Sequence, residues 1–491
     1  MALGRGMLVL VIVIMLAVAG AAAYLVSGRG GGTGPSTTGC SSPGSGEVSR
    51  STLKETEFGA VREYALPLPQ RWSNAITVAE DGSVWFGEEA VPGVGHLFGN
   101  GTLVEYPWPY QDTPTAGCGY KTGIWGVVMW NGAVWATASD ENLIVGTDQK
   151  SGRTTVINLT KDAQQPYTLA LAPDGDLWFT ALSSGAKLGR ITPDLKVSVL
   201  PVDGLKREIP IQVSFVNSSL AYFVAIDPLS PYGHMYSFDP SSTGQAIDPV
   251  LVGGAFSLLE PASVSAAGGL VWVTQHGASS IADLQASSGV WTVYPTTVVN
   301  YTYTTLPYFV EAGGEGVWFN EHYANRIGFL NVSDWTLTEF SEANPPVESG
   351  SLIGNDLTFA KGSGGVWFTA TTGNYVGFVS DSIPLGFSVE SDGPNVGNLT
   401  PGKTISLNLT VQGSADNALQ FSASDSENYT SIPKLLRIAP SVQLIGAGLG
   451  IRHITVQVTE LDGLKPGNYT MALGFSDGLV TRSAYFYLDA H

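Results

Sequence analysis

Residues Gly316–Leu330 read GVWFNEHYANRIGFL: a short apolar strand with a Trp-Phe pair, a polar tip, and a second strand running through Ile-Gly. The same cadence appears in VWFGEE (Val84–Glu89), LWFTALSSGAKLGRI (Leu177–Ile191), VWVTQHGASSI (Val271–Ile281) and VWFTATTGNYVGFV (Val366–Val379). Fainter copies are VWATASDENLIVG (Val134–Gly146) and AYFVAIDPLSPYGHMYSF (Ala221–Phe238). The aromatic anchors Trp85, Trp135, Trp178, Tyr222, Trp272, Trp318 and Trp367 recur every ~43 to 50 residues, the spacing of propeller blades.

Each repeat predicts four antiparallel strands. An inner strand such as Ala75–Val78 precedes a turn of the Asp-Gly type, which suits backbone positions with positive φ. The Trp-Phe strand follows, then the Ile-Gly strand, then an outer strand such as VEYPWP (Val104–Pro109) or LTEF (Leu337–Phe340). The seventh repeat has no outer strand after Val379, while REYALPLP (Arg62–Pro69) carries that pattern ahead of the first repeat. It is expected to close the ring as the outer strand of the last blade, removing two free sheet edges.

The expected architecture is therefore all-β: an N-terminal transmembrane or signal helix (1–28), a flexible Gly/Ser/Thr/Pro stalk (29–54), a seven-bladed β-propeller (55–383) closed by an N-terminal strand, and an Ig-like β-sandwich (384–491). Met7–Val26 runs about twenty residues without a charge, enough to span a bilayer. Arg5 ahead of it places the N-terminus inside and the rest at the extracellular face. The small residues Ala19–Ala23 equally suit a signal-peptidase site, which would make the protein secreted. In the last region, alternating strands such as ISLNLTVQG (Ile405–Gly413) and HITVQVTEL (His453–Leu461) accompany Tyr469, placed like the tyrosine corner of Ig-like sandwiches.

The net charge of −19 and the lack of a basic cluster exclude a nucleic-acid partner. The two cysteines, Cys40 and Cys118, form a disulfide if the compartment is oxidising, tying the arm to the loop before the second repeat, and otherwise remain thiols. Nine Asn-x-Ser/Thr sequons, at Asn100, Asn158, Asn217, Asn300, Asn331, Asn398, Asn408, Asn428 and Asn468, all follow the apolar segment and suit a glycoprotein.

WFNEHYANRIGFL and WFTALSSGAKLGRITPDL, each after an inner strand and a glycine turn, resemble virginiamycin B lyase (streptogramin lyase) over about Glu55–Ile383. The resemblance implies a seven-bladed propeller and magnesium-assisted elimination that opens a cyclic depsipeptide. It also implies a histidine base in Pro-His motifs at inner-strand starts, and glutamates near strand ends as metal ligands. The corresponding starts here are Ser73-Asn74, Thr122-Gly123, Pro166-Tyr167, Ile211-Gln212, Pro261-Ala262, Pro307-Tyr308 and Asn355-Asp356, and none holds histidine. Glu260-Pro261-Ala262 matches a Glu-Pro-His motif with alanine in place of the base, and Trp367–Thr371 has no carboxylate.

Because inner strands start where Trp-Phe strands end, Asn74, Glu88, Glu89, Asp140, Tyr167, Gln275, Tyr308 and Asn355 are expected to ring one channel mouth as a ligand site. His276, Glu321 and His322 form the candidate set for a divalent metal, the only cofactor the chain suggests. No Gly-x-Ser-x-Gly elbow or phosphate loop is present. Three functions follow: a binding module for an extracellular protein or glycan, a metal-dependent lyase-like enzyme, and a structural envelope component.

Overall fold

The computed structural model describes residues 48–491 apart from 69–70, 109–122, 160–162, 184–186, 206, 243–245, 254–256, 298–304, 323, 343–358, 363, 372, 382–384, 394, 415, 426–435, 449 and 462–463. The N-terminal apolar segment, Cys40, Cys118, Asn300, Asn355, Asp356 and Asn428 lie outside the described residues. Among the described residues no helix is long and apolar enough to cross a membrane.

The fold is all-β. Among the described residues, seven antiparallel sheets follow one another through positions 49–380. In the first, Ser73–Val78, Val84–Glu88, Gly93–Leu97 and Thr102–Pro107 pair in chain order. The seventh holds Phe359–Gly362, Gly365–Ala370 and Tyr375–Ser380, and its fourth place is taken by Val61–Ala65, in register from Val61 on Val379 to Ala65 on Tyr375. Glu55–Phe58 adds a fifth strand outside it. Ser49–Thr52 likewise pairs outside the first sheet, on Thr102–Glu105. The stalk expected over 29–54 therefore gives way to strand at Ser49. SRST is polar, and an edge strand held by backbone pairing alone needs no apolar alternation to mark it.

The Trp-Phe and Ile-Gly pairs explain each other. Phe86, Phe179, Phe319 and Phe368 face Gly95, Gly189, Gly328 and Gly377 across their hairpins. A Cβ on any of these glycines would lie under 3.0 Å from the facing ring. Glycine is required because the phenylalanine lies flat on the third strand.

The tryptophan, one residue earlier, points to the opposite face. There it meets the next sheet: Trp135 shares a core with Phe179, Trp178 with Phe223, Trp272 with Phe319, and Trp318 with Phe368. The series returns to its start, since Trp367 of the seventh sheet packs with Phe86 of the first. Burying each such ring is worth about 2–3 kcal/mol, so each contact between sheets is a substantial share of the fold's stability.

The inner strands have one edge without a ladder partner. Hydroxyl and amide side chains of neighbouring sheets satisfy part of that backbone. Ser263 Oγ accepts from Val310 N (3.0 Å), Ser265 Oγ accepts from Ala312 N (3.0 Å), and Gln212 Oε1 accepts from Val264 N (2.9 Å).

Residues 387–490 form two sheets around one core that includes Leu407, Val456, Phe475 and Phe486. The Tyr469 hydroxyl donates to Lys465 O at 2.6 Å. This region does not hang from the rest as a spacer. Its strand Val480–Ala490 pairs with Thr336–Ser341, Phe340 opposite Val480 and Thr336 opposite Ala484, making one nine-stranded sheet with the sixth sheet. Tyr485 and Ser424 donate to Pro295 O (2.8 Å) and Thr296 O (2.7 Å), anchoring the same region on the fifth sheet.

Candidate functional site at the inner-strand starts

Four of the inner strands begin with a break in their ladder. Trp72, Gln165, Glu260 and Leu306 take positive φ (53°, 55°, 48° and 51°) immediately before Ser73, Pro166, Pro261 and Pro307. Register shifts follow, between Asn74 and Ile76, Pro166 and Leu169, Pro261 and Val264, and Pro307 and Val310. Such bulges re-aim side chains next to a ladder's end. The bulges of the third, fifth and sixth sheets lie beside one cluster of side chains.

The centre of this cluster is a pair of imidazoles. His276 and His322 directly follow the second strands of the fifth and sixth sheets, Leu270–Gln275 and Gly316–Glu321. Their backbone NH groups donate to Glu260 O (3.1 Å) and Leu306 O (3.3 Å). The two Nε2 atoms lie 2.8 Å apart, with both residues buried at 7% and 4% exposure. Behind His276, Glu260 Oε2 is 3.4 Å from Nδ1. That carboxylate orients the ring and favours a proton on Nδ1, leaving Nε2 with its lone pair.

Aromatic rings frame the pair. Tyr308 stacks on His322 (5.5 Å between centroids, 25° between planes) and meets His276 edge-on at 5.2 Å. Its hydroxyl hydrogen-bonds that of Tyr167 in the third sheet, and Tyr167 lies 5.4 Å from the Trp125 ring, which precedes the second sheet's inner strand. Deeper between the inner strands of the fourth, fifth and sixth sheets lies a cavity of about 230 Å³, lined by Gln212, Ser214, Ser265, Phe309 and Glu311 among others.

Of the expected site residues, Tyr167, Tyr308, His276 and His322 are brought together. The others are not. Glu321 is fully buried and turned outward along its sheet, its Oε2 2.8 Å from Arg326 Nη2, with the Glu339 carboxyl beside it and 3.7 Å from Arg326 Nη1. Burial pushes its carboxyl well above the usual range, against the pull of Arg326. It is thus separated from the two histidines, and the expected His276–Glu321–His322 metal set does not assemble.

Glu88, at the matching position of the first sheet, behaves alike. Burial and the neighbouring Glu105 raise its pKa well above normal. Glu105 is itself buried, yet hydrogen bonds from Arg71 and Ser49 hold it below the usual carboxylate value. Glu89 accepts from Ile124 N (3.1 Å) and Asn74 Nδ2 (3.4 Å), fastening the approach to the second sheet. Gln275 is used internally, accepting from Leu259 N and donating to Ser280 Oγ, while Asp140 is exposed on its turn.

Trp125 escaped the sequence reading because its partner Tyr167 lies in another sheet, and Arg326 because only the strand register sets it beside Glu321 and Glu339. Glu260 had a sequence signal only in its place ahead of Pro261. The donors also do not fit the magnesium that the resemblance implies. Glu321 is taken by Arg326, and Thr371 occupies the seventh sheet's tip, donating to Ser73 O at 2.7 Å. Among the described residues, no three His, Cys, Asp or Glu side chains are gathered to hold a metal.

The described sequon asparagines lie at the surface: Asn100, Asn158, Asn217, Asn398, Asn408 and Asn468 are exposed and Asn331 is half-buried. Asn217 and Asn331 accept from both the NH and the hydroxyl of their own sequon serines, Ser219 and Ser333. In the Asn468 sequon, Thr470 is buried against the fifth sheet, bonded to Val293 O. No protein-family model matches the chain, and no curated protein matches it.

Proposed function

We propose that this chain is a seven-bladed β-propeller with an Ig-like sandwich docked on its fifth and sixth blades, and that it works outside the cell as a membrane-anchored or secreted binding module. Its recognition site is the channel mouth around Tyr167, Tyr308, His276 and His322. The observation that carries this reading is the convergence there of Trp125, Tyr167, Tyr308 and two imidazoles from four different sheets. Flat aromatic faces with phenol and imidazole groups at their edges suit a sugar residue, whose C–H face stacks and whose hydroxyls hydrogen-bond. The return of the Trp-to-next-sheet packing from Trp367 to Phe86 supports the closed ring.

The test is a glycan array probed with the full chain, followed by titration calorimetry of any binder. Saturable binding that Trp125→Ala and Tyr308→Ala weaken together is expected. An array with no binder, or binding indifferent to both changes, refutes the saccharide site.

A lyase-like enzyme is the second reading. It rests on the Glu260–His276 contact, a carboxylate behind an imidazole, which is the arrangement of an oriented general base. Turnover of a cyclic depsipeptide that disappears in His276→Ala would favour it over the binder.

A further inference from the structure

We propose that Nε2 of His276 and Nε2 of His322 form a seat for one divalent late first-row transition ion, zinc or copper, with water completing its coordination. The inference rests on the same channel-mouth site as the recognition reading but not on its ligand. Three features converge on it.

The first is separation. Two imidazole nitrogens bound to one ion at 2.0–2.1 Å stand ~3.3 Å apart in tetrahedral geometry. The pair is already 2.8 Å apart, so small ring rotations suffice. The second is the ligand type. Borderline imidazole donors select zinc, copper or nickel over magnesium and calcium, which prefer oxygen. The third is support. Glu260 Oε2, 3.4 Å from His276 Nδ1, holds the tautomer that presents a bare Nε2, as carboxylates behind metal-bound histidines do. Tyr308 packs against both rings and fixes their planes.

In the empty state His276 Nε2 accepts from His322 Nε2–H. On binding, each Nε2 donates its lone pair to the ion, and His322 takes the tautomer that carries its proton on Nδ1. No net proton is released and no redox partner is needed. Glu321 has no part, since Arg326 holds it.

The experiment uses tag-free full chain, first stripped with EDTA, then titrated with Zn(II) and, separately, Cu(II) by calorimetry. One equivalent is expected to bind. His276→Gln and His322→Gln should each abolish that binding, and Glu260→Gln should weaken it by ~tenfold. His453→Gln, which alters an exposed histidine, should leave it intact. Melting curves of the variants separate loss of the seat from loss of the fold. His322→Asn serves as a second variant if His322→Gln fails to fold. No binding, or one equivalent that survives both histidine changes, overturns the proposal. Running the glycan assay in EDTA keeps the two ideas apart: saccharide binding there with no ion taken up in the calorimeter leaves the recognition site standing while the metal seat falls, and ion uptake with no saccharide binding does the reverse.

Discussion

Replacing Gly189 by alanine sets a methyl group under 3.0 Å from three ring carbons of Phe179, closer than real methyl groups approach. Phe179 is 1% exposed and shares its core with Trp130, Trp135 and Leu177, so the ring has no space to swing into. The backbone at Gly189 is not among the positive-φ glycines, and the penalty is therefore purely steric. Overpacking of this kind costs about 1–3 kcal/mol, and the rigid surroundings place this site at ~3 kcal/mol. Gly314→Ala is the control, because nothing lies within 4 Å of its added methyl. Surface changes of that sort stay within about 0.5 kcal/mol. Urea unfolding followed by tryptophan fluorescence reads both variants. The double variant Gly189→Ala/Phe179→Leu removes the obstructing ring. Its loss should fall short of the summed single losses by about 1–2 kcal/mol, the coupling expected of touching residues. If Gly189→Ala unfolds with Gly314→Ala, or the two changes simply add, the phenylalanine-on-glycine account of the repeat is wrong.

Four further outcomes follow from the same packing. Burial lowers the His96 pKa from 6.5 to about 4, where it stacks on Trp85 and hydrogen-bonds Ser83, so the folded state rejects a proton the unfolded chain takes up. Its stabilisation is therefore complete above pH 6.5 and lost as pH falls toward 4; about 3 kcal/mol of acid sensitivity in that window should vanish in His96→Gln, and unchanged pH dependence would contradict this. Arg326→Met strands Glu321 and Glu339 without their shared cation and should cost ~3–5 kcal/mol by denaturant titration; a near-neutral effect would show that the guanidinium offsets nothing. Ending the chain at residue 383 exposes the Thr336–Ser341 edge and the Tyr294–Trp335 stack, so gel filtration should show aggregates rather than a monodisperse species. Deleting 55–68 takes away the seventh sheet's fourth strand; a melting temperature equal to the parent's would rule out Val61–Ala65 as a structural strand.

Features repeated with a short period were legible in the sequence. Trp85, Trp178, Trp318 and Trp367 announce their hairpins because phenylalanine follows each directly and glycine returns ten or eleven residues on, and the absent outer strand after Val379 pointed to Arg62–Pro69. The docked strand Val480–Ala490 was not legible. Its alternation is the same whether its edge faces water or the sixth sheet, and edge pairing leaves no mark on side chains. Glu88 and Glu321 were misplaced for a related reason. Their position in the repeat puts them at the tips, but the side chains follow Glu105, Arg71, Arg326 and Glu339, whose positions only the sheet register reveals. His276 and His322 stand at equal offsets from Trp272 and Trp318, and their rings meet at 2.8 Å.

The two sheets that carry those histidines are also the two that the C-terminal region clamps. Val480–Ala490 extends the sixth sheet, while Tyr485 and Ser424 reach across to the backbone at Pro295 and Thr296 of the fifth. Between clamp and mouth, Arg326 of the sixth sheet donates to Thr297 O, and Glu339 accepts from Thr297 N at 2.8 Å. The fifth and sixth sheets are thus joined at the outer edge, midway, and at the His276–His322 contact. A pair of side chains on neighbouring sheets keeps a fixed separation only if the sheets cannot slide, and two donors converge on one ligand only if that separation holds to about 0.5 Å. The C-terminal region is thereby coupled to the His276–His322 contact: loosening the dock should broaden the His276–His322 distance before it disturbs the other five sheets.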